Sequence, residues 1–119
     1  MRRRSPTHAS LRLALRRFSA ARDWQQFHTP KNLAMALSVE SAELLEHFQW
    51  LTAAQSSRLD VRQKRAVADE IADVLLYLIR LADVLDIDPL ESAQRKLGEN
   101  AIKYPVAKAR GNARKYSEL

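Results

Sequence analysis

The chain has 119 residues, enough for one domain with a modest core and too few for two. It has no cysteine, which excludes a disulfide framework, a thiolate metal site and a thiol nucleophile, and its longest apolar run, around Val74–Ile79, is far too short to span a bilayer. The net charge of +6 is unevenly placed: seven arginines from Arg2 to Arg22 precede the first acid, Asp23, more bases crowd the tail from Lys103 to Lys115, and nearly all the acids lie between.

Basic ends around an acidic centre suit a phosphorylated ligand bridged to protein by metal. The opposing reading of the arginine-rich start is a solvated surface, with nucleic-acid binding incidental and not the main function. Met1-Arg-Arg-Arg lacks the apolar core of a signal peptide, so the expected location is cytoplasmic.

Only two glycines occur and no segment sustains strand alternation, which predicts an all-α fold. Residues 1–8 read as a disordered basic lead-in. A first helix is predicted from about Ala9 to Asp23, with Leu11, Leu15 and Phe18 on its apolar stripe. Trp24–His28 reads as an aromatic connector. Thr29 then caps a second helix with Pro30 at its first position, and Leu33, Leu37, Leu44, Phe48 and Leu51 mark its buried face. Thr52-Ala-Ala-Gln55 has the form of a capping box before a short helical turn.

A third, long helix is predicted over roughly Val61–Leu85. Its apolar residues cover more than one stripe, so a single small bundle cannot cover them, and an oligomer is expected. The fourth helix opens at Asp88-Pro-Leu-Glu91, read as cap, first-turn proline and capping-box glutamate, with Leu90, Ala93 and Leu97 facing inward and Pro105 as the stop. Residues 9–105 form the predicted domain. Residues 106–119 form a basic tail, either disordered or laid over a neighbouring subunit.

The chemistry centres on Glu40-Ser-Ala-Glu43 and Glu70-Ile-Ala-Asp73. Acids at i and i+3 stand one helical turn apart on one face. Here they interrupt apolar faces, which is costly unless a cation compensates them. Two such pairs facing each other would make an oxygen-lined cage for hard divalent ions: Mg²⁺, with Mn²⁺ as a substitute. A lone Glu-x-x-Glu is usually an exposed helical face; the apolar setting and the second tetrad argue for a site. A di-iron bundle would need Glu-x-x-His pairs, and the nearest histidine, His47, is not at that spacing.

Lys96 and Asn100, with Lys103 or Tyr104, share one helical stripe that could hold phosphate oxygens if it borders the cage. Trp24, His28, Trp50 and Tyr77 could stack on a nucleobase, against the plainer reading of each aromatic as core. No nucleophile–base triad and no glycine-rich phosphate loop can be assembled, so hydrolysis would be metal-assisted attack by water.

Taken together, Arg22-Asp-Trp-Gln-Gln-Phe-His28, Pro30-Lys-Asn-Leu33, Glu40-x-x-Glu43-Leu, Phe48-Gln-Trp50, Glu70-x-x-Asp73-Val-Leu-x-Tyr-Leu78, Lys96-x-x-x-Asn100, Tyr104-Pro105 and the closing Arg114-Lys-Tyr-Ser-Glu-Leu119 resemble the MazG-like nucleotide pyrophosphohydrolases, nearest the dCTP pyrophosphatase branch. The resemblance implies a four-helix, all-α NTP pyrophosphatase fold in a homotetramer, and Mg²⁺-dependent hydrolysis of a (deoxy)nucleoside triphosphate to monophosphate and pyrophosphate. By position it makes Glu40, Glu43, Glu70 and Asp73 catalytic metal ligands. It puts Lys96 and Asn100 at the phosphates, with Lys103 where relatives often have arginine, and Trp24, His28, Trp50 and Tyr77 at base and sugar.

Two positions depart from relatives: Ala42 replaces a glycine, and Leu15 stands where dCTP-type relatives can carry histidine. The expected substrate is dCTP or a modified dCTP. The alternatives are dUTP, damaged nucleotides or a broader NTP range, and, outside enzymes, a helical oligomer that binds nucleotides or protein.

Overall fold

Each long helix starts where a polar side chain satisfies the first free N–H groups. In this computed structural model, which describes residues 5–119, helix α1 spans His8–Ala21, α2 Pro30–Glu46, α3 Ala53–Ser56, α4 Val61–Val84, α5 Pro89–Lys103 and α6 Val106–Ala109. Short 3₁₀ turns occupy Gln25–Phe27 and Tyr116–Glu118, and no strand occurs among the described residues. Of the lead-in expected at residues 1–8, residues 1–4 lie outside the described residues; Ser5–Thr7 are non-helical and His8 opens α1.

Thr7 and Ser10 form a reciprocal box that starts α1. Thr29 Oγ1 accepts from the Asn32 N–H at 3.2 Å to start α2. The Thr52–Gln55 box starts α3, and an Asp60–Gln63 box starts α4. Asp88 Oδ1 accepts from the Leu90 and Glu91 N–H groups at 3.0 and 3.1 Å. The expected return bond from Glu91 to the cap is absent, so Asp88 caps α5 unaided.

Helix α1 stops two residues before the sequence expectation. The Ser19 carbonyl accepts from the Trp24 N–H at 3.0 Å while Asp23 turns left-handed at φ 52°. Aspartate adopts that conformation more readily than most residues, and Asp86, φ 55°, does the same after α4. Helix α2 ends at Glu46, and Phe48–Leu51 continue as turns, so Leu51 is not on the helix.

Contacts divide the chain into two units, one ending at Asp86 and one spanning Ile87–Leu119. In the first, α4 runs about 36 Å and packs against both α2 and α1, most extensively α2. Leu33 of α2 and Val67, Ile79 and Ala82 of α4 are buried, as is Ser19 of α1, whose small side chain permits close approach. The other α4 stripe stays open: Ile71, Leu75 and Leu78 are exposed.

A clamp holds α1 to α4. Arg16 Nε and Nη2 donate to the two Asp83 oxygens at 2.7 and 2.5 Å. These charge-assisted bonds, above all the hydrogen bond from Arg16, hold the Asp83 carboxyl below its usual range, outweighing the burial that opposes them. A depressed carboxylate stabilises the fold above its unfolded pKa, and that contribution is lost as pH falls through the folded value. Asp83→Asn should therefore lower Tm by roughly 5 °C at neutral pH, and the difference from the parent should shrink on acidification. Thermal melts at several pH values check this.

In the second unit, Leu90 and Leu97 are 62% and 71% exposed and Ala93 is exposed, correcting the expectation that they face inward. Periodicity identifies an apolar face; it does not supply the surface that covers it. The tail has local order, with the Tyr116 ring edge-on to Tyr104 at 6.3 Å and Lys103 Nζ 5.0 Å above the Tyr116 ring.

Candidate active site

The packing of α2 on α4 brings the two acidic tetrads together. One carboxylate oxygen each from Glu40, Glu43 and Glu70 lies within 4.8 Å of the others, and all three residues are half-buried. Glu40 and Glu43 are adjacent because they are one turn apart on α2; Glu70 joins them only through the tertiary contact. Asp73, one turn beyond Glu70 and more exposed, falls outside that group, yet its charge reaches Glu40.

Glu40 records the crowding. Burial pushes its carboxyl above the usual range, followed by the hydrogen-bonding approach and charge of Glu43, then the charges of Asp73 and Glu70. Glu40 Oε2 and Glu70 Oε2 are both buried without a hydrogen-bond partner among the described residues. Orphaned carboxylate oxygens are unfavourable in protein and suitable for a hard cation, whose ligands are oxygens. The residues therefore fit a divalent ion of the Mg²⁺ type. His47, set aside in the sequence because its spacing was wrong for an iron ligand, lies with Nε2 3.7 Å from Glu70 Oε1. It caps the C-terminus of α2, which a sequence reading can place but not orient.

Beside the carboxylates is an apolar cavity of about 170 Å³, walled by Phe18, Ser19, Trp24, His28, Tyr77 and Arg80, with Leu15, Leu76 and Asp73 completing it. Trp24 meets Phe18 edge-on at 5.6 Å and His28 at 6.2 Å. Thus three of the four expected base-pocket residues, Trp24, His28 and Tyr77, share one cavity, and Asp73 links it to the acids. Trp50 is not in that wall; it is 86% exposed in the turns after α2.

Lys96, Asn100, Lys103 and Tyr104 belong to the second unit. There Lys96 Nζ is 3.6 Å from Glu99 Oε2, and Glu99 also accepts from Arg95 Nη1 at 3.0 Å. Asn100 is half-buried, and its carbonyl accepts from the Tyr104 N–H at 2.9 Å. Phe18, Ser19 and Arg80 were not anticipated in the cavity. For Arg80 a signal exists, since it is a charge set between Ile79 and Leu81 on an apolar helix.

The profile of the MazG-like family matches residues 35–119. Over 116 residues the chain is 40% identical to human dCTP pyrophosphatase 1 and 39% to the rat protein, covering 96% of this chain and 68% of each relative. The crystal structure of a pyrophosphatase from Archaeoglobus fulgidus superposes with a TM-score of 0.79 at 43% identity, covering 88% of this chain and 98% of that one. The chain belongs to the MazG-like family, and its helices form that family's all-α pyrophosphatase fold.

Proposed function

We propose that this protein hydrolyses dCTP, or a dCTP modified on the base, to the monophosphate and pyrophosphate, using Mg²⁺ held by Glu40, Glu43, Glu70 and Asp73. The enzyme class, a nucleoside triphosphate pyrophosphohydrolase like the dCTP diphosphatases, follows from family membership. The observation that carries the finer reading is adjacency: Asp73 belongs to the cavity wall and also acts on the carboxylate group. A nucleotide lying across Asp73 would put its base among Trp24, His28 and Tyr77 and its phosphates at the acids.

The cavity's volume supports a pyrimidine. About 170 Å³ is close to the roughly 150 Å³ that accommodates one benzene ring. Apolar and aromatic walls supply stacking, and the few polar groups fix orientation. Lys96, Asn100, Lys103 and Tyr104 are proposed at the phosphates, and Trp50 at the nucleotide, on the resemblance alone.

In this mechanism Glu40 and Glu43 of α2 and Glu70 and Asp73 of α4 would hold the ion at the phosphate end of the nucleotide. A carboxylate of the group takes the proton from the water that attacks the α-phosphorus, and pyrophosphate leaves. Bound Mg²⁺ supplies a water of lowered pKa and neutralises charge on the triphosphate. The exposed stripes of α4 and α5 are proposed to be covered in a homotetramer, and a cytoplasmic location suits a free-nucleotide substrate.

Leu15 favours a second reading. Its apolar side chain in the cavity wall gives the base edge no hydrogen bond, which favours wider pyrimidine acceptance, dUTP included. The test is a panel of deoxynucleoside triphosphates with Mg²⁺ and chromatographic identification of products. The first reading expects dCMP and pyrophosphate, with dCTP preferred over purine nucleotides about tenfold or more. Equal use of dUTP selects the second, and formation of dCDP and orthophosphate contradicts both.

A further inference from the structure

One nitrogen of the cavity histidine is already committed. Arg80 Nε donates to His28 Nδ1 at 3.1 Å. A guanidinium has five N–H donors and no acceptor, so Nδ1 presents its lone pair and the ring's proton sits on Nε2. Nε2 makes no hydrogen bond among the described residues, and it is not fully buried. It is thus open to a ligand.

Arg80 is held in turn. Its side chain is nine-tenths buried in the cavity wall, and its Nη1 lies 3.6 Å from Asp83 Oδ2. Asp83 is clamped by Arg16. A charged chain, Arg16–Asp83–Arg80–His28, therefore runs from the surface of α1 to the cavity. Burial, then the neighbouring Arg80 charge, keep the His28 pKa below the ordinary histidine range, so the neutral ring persists.

Resting on the pyrophosphohydrolase reading, we propose that Arg80 is a positioning residue that locks His28 in its Nε2–H tautomer, so that the cavity offers the nucleobase a fixed donor and no acceptor there. A base must meet that point with a carbonyl or an unprotonated ring nitrogen. One presenting N–H there leaves two donors facing each other and is rejected. Specificity at this position is then set by a residue that need not touch the base.

Long-range ¹H–¹⁵N correlation on the full chain near neutral pH reads the tautomer without turnover. The expected His28 pattern is an unprotonated Nδ1 and a protonated Nε2, with both tautomers populated in Arg80→Met. A wild-type ring protonated on Nδ1, a wild-type mixture, or an unchanged pattern in Arg80→Met overturns the proposal. Because this arm does not depend on catalysis, its failure is distinct from failure of the product assay.

The kinetic arm expects Arg80→Met to raise KM for dCTP about tenfold with kcat little changed, and to add little in a His28→Leu background. An unchanged KM contradicts the proposal. If Arg80→Met does not fold, the wild-type spectrum still decides the tautomer. His28→Gln, whose amide N–H falls near the Nε2 position, should then recover most of the affinity lost in His28→Leu; equal losses in the two overturn the donor role.

Discussion

Glu43→Gln is expected to reduce pyrophosphate release on the order of a thousandfold while leaving the helical circular dichroism intact, because the lost charge stabilisation amounts to several kcal/mol. The substitution keeps the shape of the side chain and removes only its charge. Glu43 is one of three acids whose oxygens crowd within 4.8 Å, so neutralising it removes a ligand and also relieves repulsion. The metal-free variant should therefore melt no lower than the parent, and activity and stability move independently. Asp73→Asn should also inactivate, since Asp73 joins the acids to the cavity. Full activity in both variants would remove the carboxylates from the chemistry.

Mg²⁺ should raise Tm by roughly 10 °C when present at about a hundred times its dissociation constant, the melting shift that corresponds to about 2.7 kcal/mol of linkage. The physical source is local. Among the described residues Glu40 Oε2 and Glu70 Oε2 are buried and unpartnered, and burial, followed by the neighbouring acids, raises the proton affinity of Glu40. An ion bound there compensates all of these at once, and only the folded chain assembles the group. Chelator should reverse the shift, and Glu40→Gln should largely abolish it. A helical oligomer without a metal site would show neither response, so this melt also separates the enzyme from the interaction-protein alternative.

Local chemistry made much of this legible in the sequence. Thr29-Pro30 and Asp88-Pro89 mark helix starts by satisfying or omitting the first N–H groups, and both helices begin there. The long apolar stretch ending near Leu85 gives α4 to within one residue. Spacing i, i+3 places Glu40 beside Glu43 on any helix, so half of the acidic group needs no tertiary information. Glu70 meets them only because α2 packs on α4, which the interrupted apolar faces of the two helices anticipated.

Other features depend on what covers a surface or how the chain turns. Leu90 and Leu97 lie on an apolar stripe, but the stripe is exposed in this chain. The apolar stripe carries the expected second helix on to Leu51, whereas α2 stops at Glu46 and the Trp50 ring projects from turns. Arg80 shows the opposite omission. A charge between Ile79 and Leu81 is as anomalous as the acids around Leu37 and Leu44, and its partners, His28 and Asp83, account for it. The His28 partner is 52 positions away, beyond any local pattern.

Where a divalent ion settles is the most direct measurement of all. Anomalous diffraction from crystals equilibrated with Mn²⁺ should place one or more ions in contact with carboxylate oxygens from both α2 and α4, with Glu40 or Glu43 on one side and Glu70 on the other. A vacant peak at saturating Mn²⁺, or an ion touching acids of one helix alone, would contradict the shared site on which the account rests.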